Sequence, residues 1–165
     1  MTRTLRAAVI GLGSMGANHA RVLSDTPGVE LVAVADANPA AVNKTIAGRP
    51  IPGFPDAVSL LRETGPDMVS IVVPTQLHEE VALQAIAAGA NVLVEKPIAA
   101  TLDAARSIAV AAEQAGLVLT VGHIERFNPA VQELKRRLDA GQGGPVLQVR
   151  ARRVGPFPHR IRDVG

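Results

Sequence analysis

Gly11-Leu12-Gly13-Ser14-Met15-Gly16 is the first stretch of the 165-residue chain whose residue types and spacing can do chemistry. In a G-x-G-x-x-G turn the first glycine allows a tight bend, the second lets an anion approach bare backbone, and the third lets a helix lie close to a strand. Ser14 and Met15 stand at the head of that helix, where free N–H groups and partial positive charge suit a diphosphate. Asp36 closes a second apolar run twenty residues after Gly16, the place where a carboxylate accepts from ribose hydroxyls. The combination points to a dinucleotide. A carboxylate at 36 repels a 2′-phosphate, and Ala37 and Asn38 offer no compensating cation, so NAD is favoured over NADP; Lys44 is the one cation in the next helix able to reach that pocket. The competing reading is a glycine-rich turn followed by an ordinary capping Asp. Further on, Glu95-Lys96-Pro97 ends another apolar run. A lysine at the carboxyl edge of a sheet can donate to a substrate hydroxyl or ease its deprotonation, although the same tripeptide also reads as a surface ion pair before a turn.

These residues need a frame, and the pattern supplies one. Short β-branched runs at Leu5–Ile10, Leu31–Asp36, Ile51–Phe54, Met68–Val73, Asn91–Val94 and Val118–Val121 alternate with alanine-rich helical segments, as a parallel sheet with crossover helices requires. Asp56, Thr101 and Asn128 precede helical segments as N-caps, the last followed by proline, and Asn38-Pro39 opens another helical segment. Thr75 reads as another cap, His78 as a residue of the first helical turn after it, and His19 as a helix-surface or packing residue. The expected fold class is α/β, a Rossmann doubly wound parallel sheet over 1–121, with 122–165 as the start of an α/β substrate domain. In that second part Val146–Arg153 alternates apolar and polar residues like a half-exposed strand. It has no later strand to pair with, so the chain is expected to stop inside a domain and to associate through that edge.

Composition narrows the function classes. The chain has no cysteine and four scattered histidines, which excludes thiolate metal sites and disulfides and leaves no metal-ligand spacing. There is neither a signal-peptide pattern nor an apolar run of membrane-spanning length, so a cytoplasmic protein with no membrane partner is expected. Net charge is +2, but Met1–Glu125 holds 8 basic and 12 acidic residues whereas Arg126–Gly165 holds 9 basic and 3 acidic. That basic segment carries only Phe127 and Phe157 for stacking and matches no nucleic-acid motif, so no nucleic-acid partner is expected. A small anion suits it better.

GLGSMGANHARVL, VPTQLHEEVALQAIAAGANVLVEKP and GHIERFNPAV together resemble the Gfo/Idh/MocA family of NAD(P)-dependent sugar and polyol oxidoreductases over Leu5 to about Val131. GHIERFNPAV and RRVGPFPHRIRDVG further resemble its branch of UDP-N-acetylglucosamine 3-dehydrogenases and related nucleotide-sugar dehydrogenases. The resemblance implies that Lys96 lies between nicotinamide and substrate as the catalytic residue, with Glu95 beside it, and that Thr75 and His78 line the cofactor cleft. It makes Arg126 and Asn128 candidates for sugar contacts; their plainer readings are a structural ion pair and a helix cap. Arg150, Arg152, Arg160 and Arg162 would suit a substrate diphosphate. The implied reaction oxidises a sugar hydroxyl, at C3 of a UDP-N-acetylhexosamine, by hydride transfer to NAD, in a homo-oligomer. The rival expectations are an inositol or simple-sugar dehydrogenase and a non-catalytic dinucleotide-binding module. The family's D-x-x-x-H segment, whose His joins the lysine, would fall past Gly165, and His159 does not match it. The chain as given is therefore expected to bind cofactor without appreciable turnover.

Overall fold

The computed structural model describes residues 3–152 and Val154. Six parallel strands, β1 (Leu5–Ile10), β2 (Val29–Ala35), β3 (Gly53–Phe54), β4 (Met68–Ile71), β5 (Asn91–Val94) and β6 (Leu119–Val121), form one sheet in the order β3-β2-β1-β4-β5-β6. Helices α1 (Ser14–Asp25), α2 (Pro39–Ile46), α3 (Ala57–Thr64), α4 (His78–Ala87) and α5 (Leu102–Gln114) make the crossovers. This is the Rossmann α/β architecture. Alternation along the strands divides the core between the two faces of the sheet. Ala8 and Ile10 of β1 join Val69, Ile71, Leu60, Ile86 and Ile108 in one cluster, while Val9 joins Leu12, Ala20, Leu31, Val34 and Val42 in the other.

Local chemistry explains where the helices begin. The side chains of Asn38, Asp56 and Thr101 accept from the backbone N–H groups of Ala40, Ser59 and Ala104. The two N–H groups of Ser59 and Val58 and the Ser59 hydroxyl hold the Asp56 carboxyl below its ordinary range, the Ser59 backbone bond most of all. The Thr75 hydroxyl does not act as expected: Thr75–Leu77 form a 3-10 turn without a side-chain cap, and it is the Thr75 carbonyl that accepts from His78. Strand β4 is two residues shorter than its apolar run. Past Ile71 the Val72 N–H still donates to Ile10, but the Val73 carbonyl turns to the His78 ring.

The chain divides into two compact units, 1–123 and 124–165. In the second, a 3-10 turn at Ile124–Phe127 leads to helix α6 (Pro129–Asp139), capped by the Asn128 side chain on the Ala130 N–H. Residues 146–152 form no strand, with Leu147 92% and Val149 79% exposed. The alternation is present in the sequence, but a lone extended segment satisfies no ladder hydrogen bonds, and no described residue pairs with it. The association edge expected from that strand loses its basis with it.

Candidate functional site

The strand order reverses between β1 and β4, because β2 follows on one side of β1 and β4 lies on the other. Ligands of open α/β sheets gather at the carboxyl ends of strands at such a point. Gly11 leaves β1 there with φ +91°, its N–H donating to the Ala35 carbonyl. A Cβ at Gly11 would stand 2.6 Å from the Val72 carbonyl group, and one at Gly16 would collide with the Gly11 carbonyl oxygen. These two glycines serve the protein's own packing. Gly13 differs. Its backbone is extended at φ −61°, ψ −168°, and a Cβ built on it would meet nothing within 4 Å.

Gly13 is also the N-cap of α1 and provides no side-chain cap, and the first turn, which includes Ser14 and Met15, carries no acid. The helix thus offers its N–H groups and partial positive charge to open space, as a diphosphate needs. A cavity of about 610 Å³ lies against Gly11, Gly13, Ala35, Asp36, Val72 and Pro74, and a neighbouring one of about 620 Å³ against Ser14, Asp36, Arg21, Lys44 and Arg49. Asp36 borders both. Its Oδ2 accepts from the Leu12 N–H at 2.6 Å and its Oδ1 from the Asn38 N–H at 2.7 Å. The carboxylate therefore ties the glycine turn to the end of β2, and a ribose must use its remaining lone pairs.

Glu95 and Lys96 follow β5 directly, and the Lys96–Pro97 peptide bond is cis. Lys96 is exposed. The Glu95 carboxylate faces protein at both oxygens: Oε1 lies 3.2 Å from His19 Nε2, and Oε2 accepts from the Lys96 N–H at 3.0 Å. His78, 1% exposed, places Nδ1 2.9 Å from the Pro97 carbonyl oxygen and Nε2 3.0 Å from that of Val73. Both partners are acceptors, so a neutral ring donates to one of them and a protonated ring to both. Its ring thus braces the lysine turn from inside.

In the second unit, Arg126 and Asn128 are exposed, and Asn128 Nδ2 donates to Glu125 in addition to capping α6. Arg150 and Arg152 are exposed; His159, Arg160 and Arg162 lie outside the described residues. Among the described residues no group of three His, Asp or Glu could hold a metal ion, and no helix is long and apolar enough to cross a membrane. His19 and Ser70 are the site residues that sequence reasoning missed. His19 Nδ1 lies 2.8 Å from Ser70 Oγ, a contact made across 51 residues that no local spacing announces. The available signal was a serine inside the apolar run MVSI.

A family model described as "Oxidoreductase family, NAD-binding Rossmann fold" matches residues 5–123. The chain is 38% identical over 149 residues to inositol 2-dehydrogenase 1 of Saccharopolyspora erythraea, covering 87% of this chain and 44% of that protein. It is 36% identical over 160 residues to UDP-N-acetylglucosamine 3-dehydrogenase of Acidithiobacillus ferrooxidans, covering 97% and 49%. Among solved structures, scyllo-inositol dehydrogenase from Lactobacillus casei, with bound NAD(H) and scyllo-inositol, superposes with TM-score 0.80 at 25% identity, covering 85% of this chain and 42% of that one. The WlbA dehydrogenase from Bordetella pertussis, in complex with NADH and UDP-GlcNAcA, gives 0.80 at 27% identity, covering 84% and 43%. The chain spans about half the length of the curated relatives it matches.

Proposed function

Since this chain belongs to the Gfo/Idh/MocA family of NAD-binding oxidoreductases, we propose that it serves the oxidation of a sugar hydroxyl, at C3 of a UDP-N-acetylhexosamine, with Lys96 at the reacting group. The observation that carries this reading is the open space over Gly13 at the uncapped head of α1, on the same sheet edge as the Glu95–Lys96 turn. Gly11, Gly13, Ser14, Met15 and Gly16 would cradle the diphosphate, and Asp36 would accept from the adenosine ribose. NAD, when bound, supplies a hydride acceptor at its nicotinamide ring. Lys96 would hold or receive the proton of the substrate hydroxyl. Thr75 would border the cofactor cleft, while His78 and Glu95 would act on it by fixing the lysine turn. Arg126, Asn128 and the exposed Arg150 and Arg152 would meet the substrate, as the first part of the substrate domain. In this reading the protein acts as a homo-oligomer in the cytoplasm.

The choice of a nucleotide sugar rests on the 36% identical relative and on the positive charge of 126–165. The 38% identical relative favours a second reading, oxidation of an inositol. Calorimetry with NAD on this chain, followed by absorbance assays of NADH formation with UDP-N-acetylglucosamine and with myo- and scyllo-inositol on a chain extended to its relatives' full length, separates them. Turnover of inositol alone would overturn the nucleotide-sugar assignment. Absence of NAD binding would overturn the whole reading.

A further inference from the structure

We propose that His19 is a positioning residue for Lys96, acting through Glu95. The inference rests on the reading of Lys96 given above, but its parts are geometric. Ser70 is fully buried in β4 between Val69 and Ile71, where an unbonded hydroxyl would be costly. Its Oγ lies 2.8 Å from His19 Nδ1, on the second turn of α1. The other ring nitrogen lies 3.2 Å from Glu95 Oε1, and Glu95 Oε2 accepts from the backbone N–H of Lys96. One neutral tautomer satisfies every member: the Ser70 hydroxyl donates to Nδ1, and Nε2–H donates to the carboxylate.

The side chains of His19 and Glu95 are only 18% and 13% exposed, so their contact is largely shielded from water. Gly122 lies close beside the carboxylate, since a Cβ there would stand 3.1 Å from Glu95 Oε1 and 3.3 Å from Oε2. The carboxylate is thus held at one oxygen by His19, and at the other it accepts from the amide of the residue that carries the amine. The same helix that presents Gly13 and Ser14 at its head therefore also sets the turn bearing Lys96. A histidine that merely packed would not need hydrogen-bond partners at both ring nitrogens, a buried serine on one and a carboxylate on the other.

The test is amide hydrogen exchange, by NMR, on the 15N-labelled chain. His19→Ala should speed exchange at Lys96 by about tenfold or more, the scale of losing a charge-assisted hydrogen bond. Exchange at Val69, Ile71, Val92 and Val94 should rise less than at Lys96, by the general loss of stability that an unbonded Ser70 hydroxyl causes. His19→Gln, whose amide can both donate and accept, should recover part of the protection. Unchanged exchange at Lys96 in His19→Ala would overturn the proposal. Acceleration as large over β4 and β5 as at Lys96 would overturn it too, because His19 would then be a general structural support. A wild-type chain that binds no NADH would instead overturn the functional reading of the site, while the exchange data still decided the link from His19 to Lys96.

Discussion

Helices α1 and α6 are nearly equal in length, twelve and eleven residues, and are held in opposite ways. Helix α6 is rich in local devices. Asn128 caps it, Pro129 opens it, Arg136 and Arg137 sit in its last turn against the negative end of the dipole, and Glu133 pairs with both arginines while Lys135 pairs with Asp139. None of its residues is buried. Helix α1 has little of this: an exposed Arg21–Asp25 pair, but no side-chain cap and no base in its last turn. It is held by burial instead, with Gly16 and Ala20 against the sheet and Leu12 in the core just ahead of it. The difference teaches what a ligand site asks of a helix. A helix that offers its N-terminus to an anion gives up self-capping there, and packing must make up the loss.

The sharpest way to break that contrast is to give α1 the cap it lacks. Gly13→Asp places a good capping side chain at a backbone conformation any residue adopts, with open space for its Cβ. The unfolding midpoint should hold or rise, while NAD affinity falls by about a hundredfold or more, since a carboxylate beside a diphosphate costs a few kcal/mol. Denaturation and calorimetry on one preparation check both halves. A variant that binds NAD like wild type would remove the diphosphate from this helix.

Asp36→Ser tests the neighbouring edge of the same site. The preference for NAD over NADP should narrow roughly tenfold, about 1.4 kcal/mol, as the like charge leaves a cavity that already holds Arg21, Lys44 and Arg49. Stability should fall as well, by roughly 1.5–3 kcal/mol, because Leu12 and Asn38 lose a charged acceptor. An unchanged cofactor ratio, measured by competition between NADH and NADPH, would detach Asp36 from selectivity.

What was legible in the sequence follows the same division. The caps at Asp56, Thr101 and Asn128 are local, reaching two or three residues ahead, and each is present in the structure. The parallel sheet was legible because buried strands write themselves as continuous apolar runs. Contacts between distant segments leave no such trace. Nothing near His19 announces Ser70 or Glu95, and nothing near His78 announces that its ring meets the carbonyls of Val73 and Pro97. Alternation at 146–152 misled for a related reason. A side-chain pattern specifies which face a strand would bury, but only a neighbouring backbone makes the strand.

On the other side of the comparison, Asn128→Ala removes the cap of a helix with no burial to fall back on. The expected cost is about 1 kcal/mol of local helix stability, read as a loss of helical 13Cα shifts over 130–139. Strands β1 and β4 should keep their amide protection in this variant. A cooperative loss across both units would show that α6 is held by more than its own ends.

The smallest effect is a dependence on pH confined to α6. Hydrogen bonds from Arg136 and then Arg137 lower the Glu133 carboxyl from 4.5 to about 2. The sign follows from linkage: an acid whose folded pKa is depressed stabilises the fold above its unfolded pKa, and that contribution is lost as pH falls through the folded value. The Glu133 pairs should therefore support the helix in full above about pH 4.5 and fade between there and about pH 2. The pairs are exposed, so salt should weaken the effect as acid does. Measured by 13Cα shifts, the helicity of 130–139 should decline across that interval in wild type. In Glu133→Gln it should start lower and lose this part of the decline. Equal declines in the two proteins would mean that the arginine pairs add nothing to α6, leaving its cap and its dipole to account for the helix.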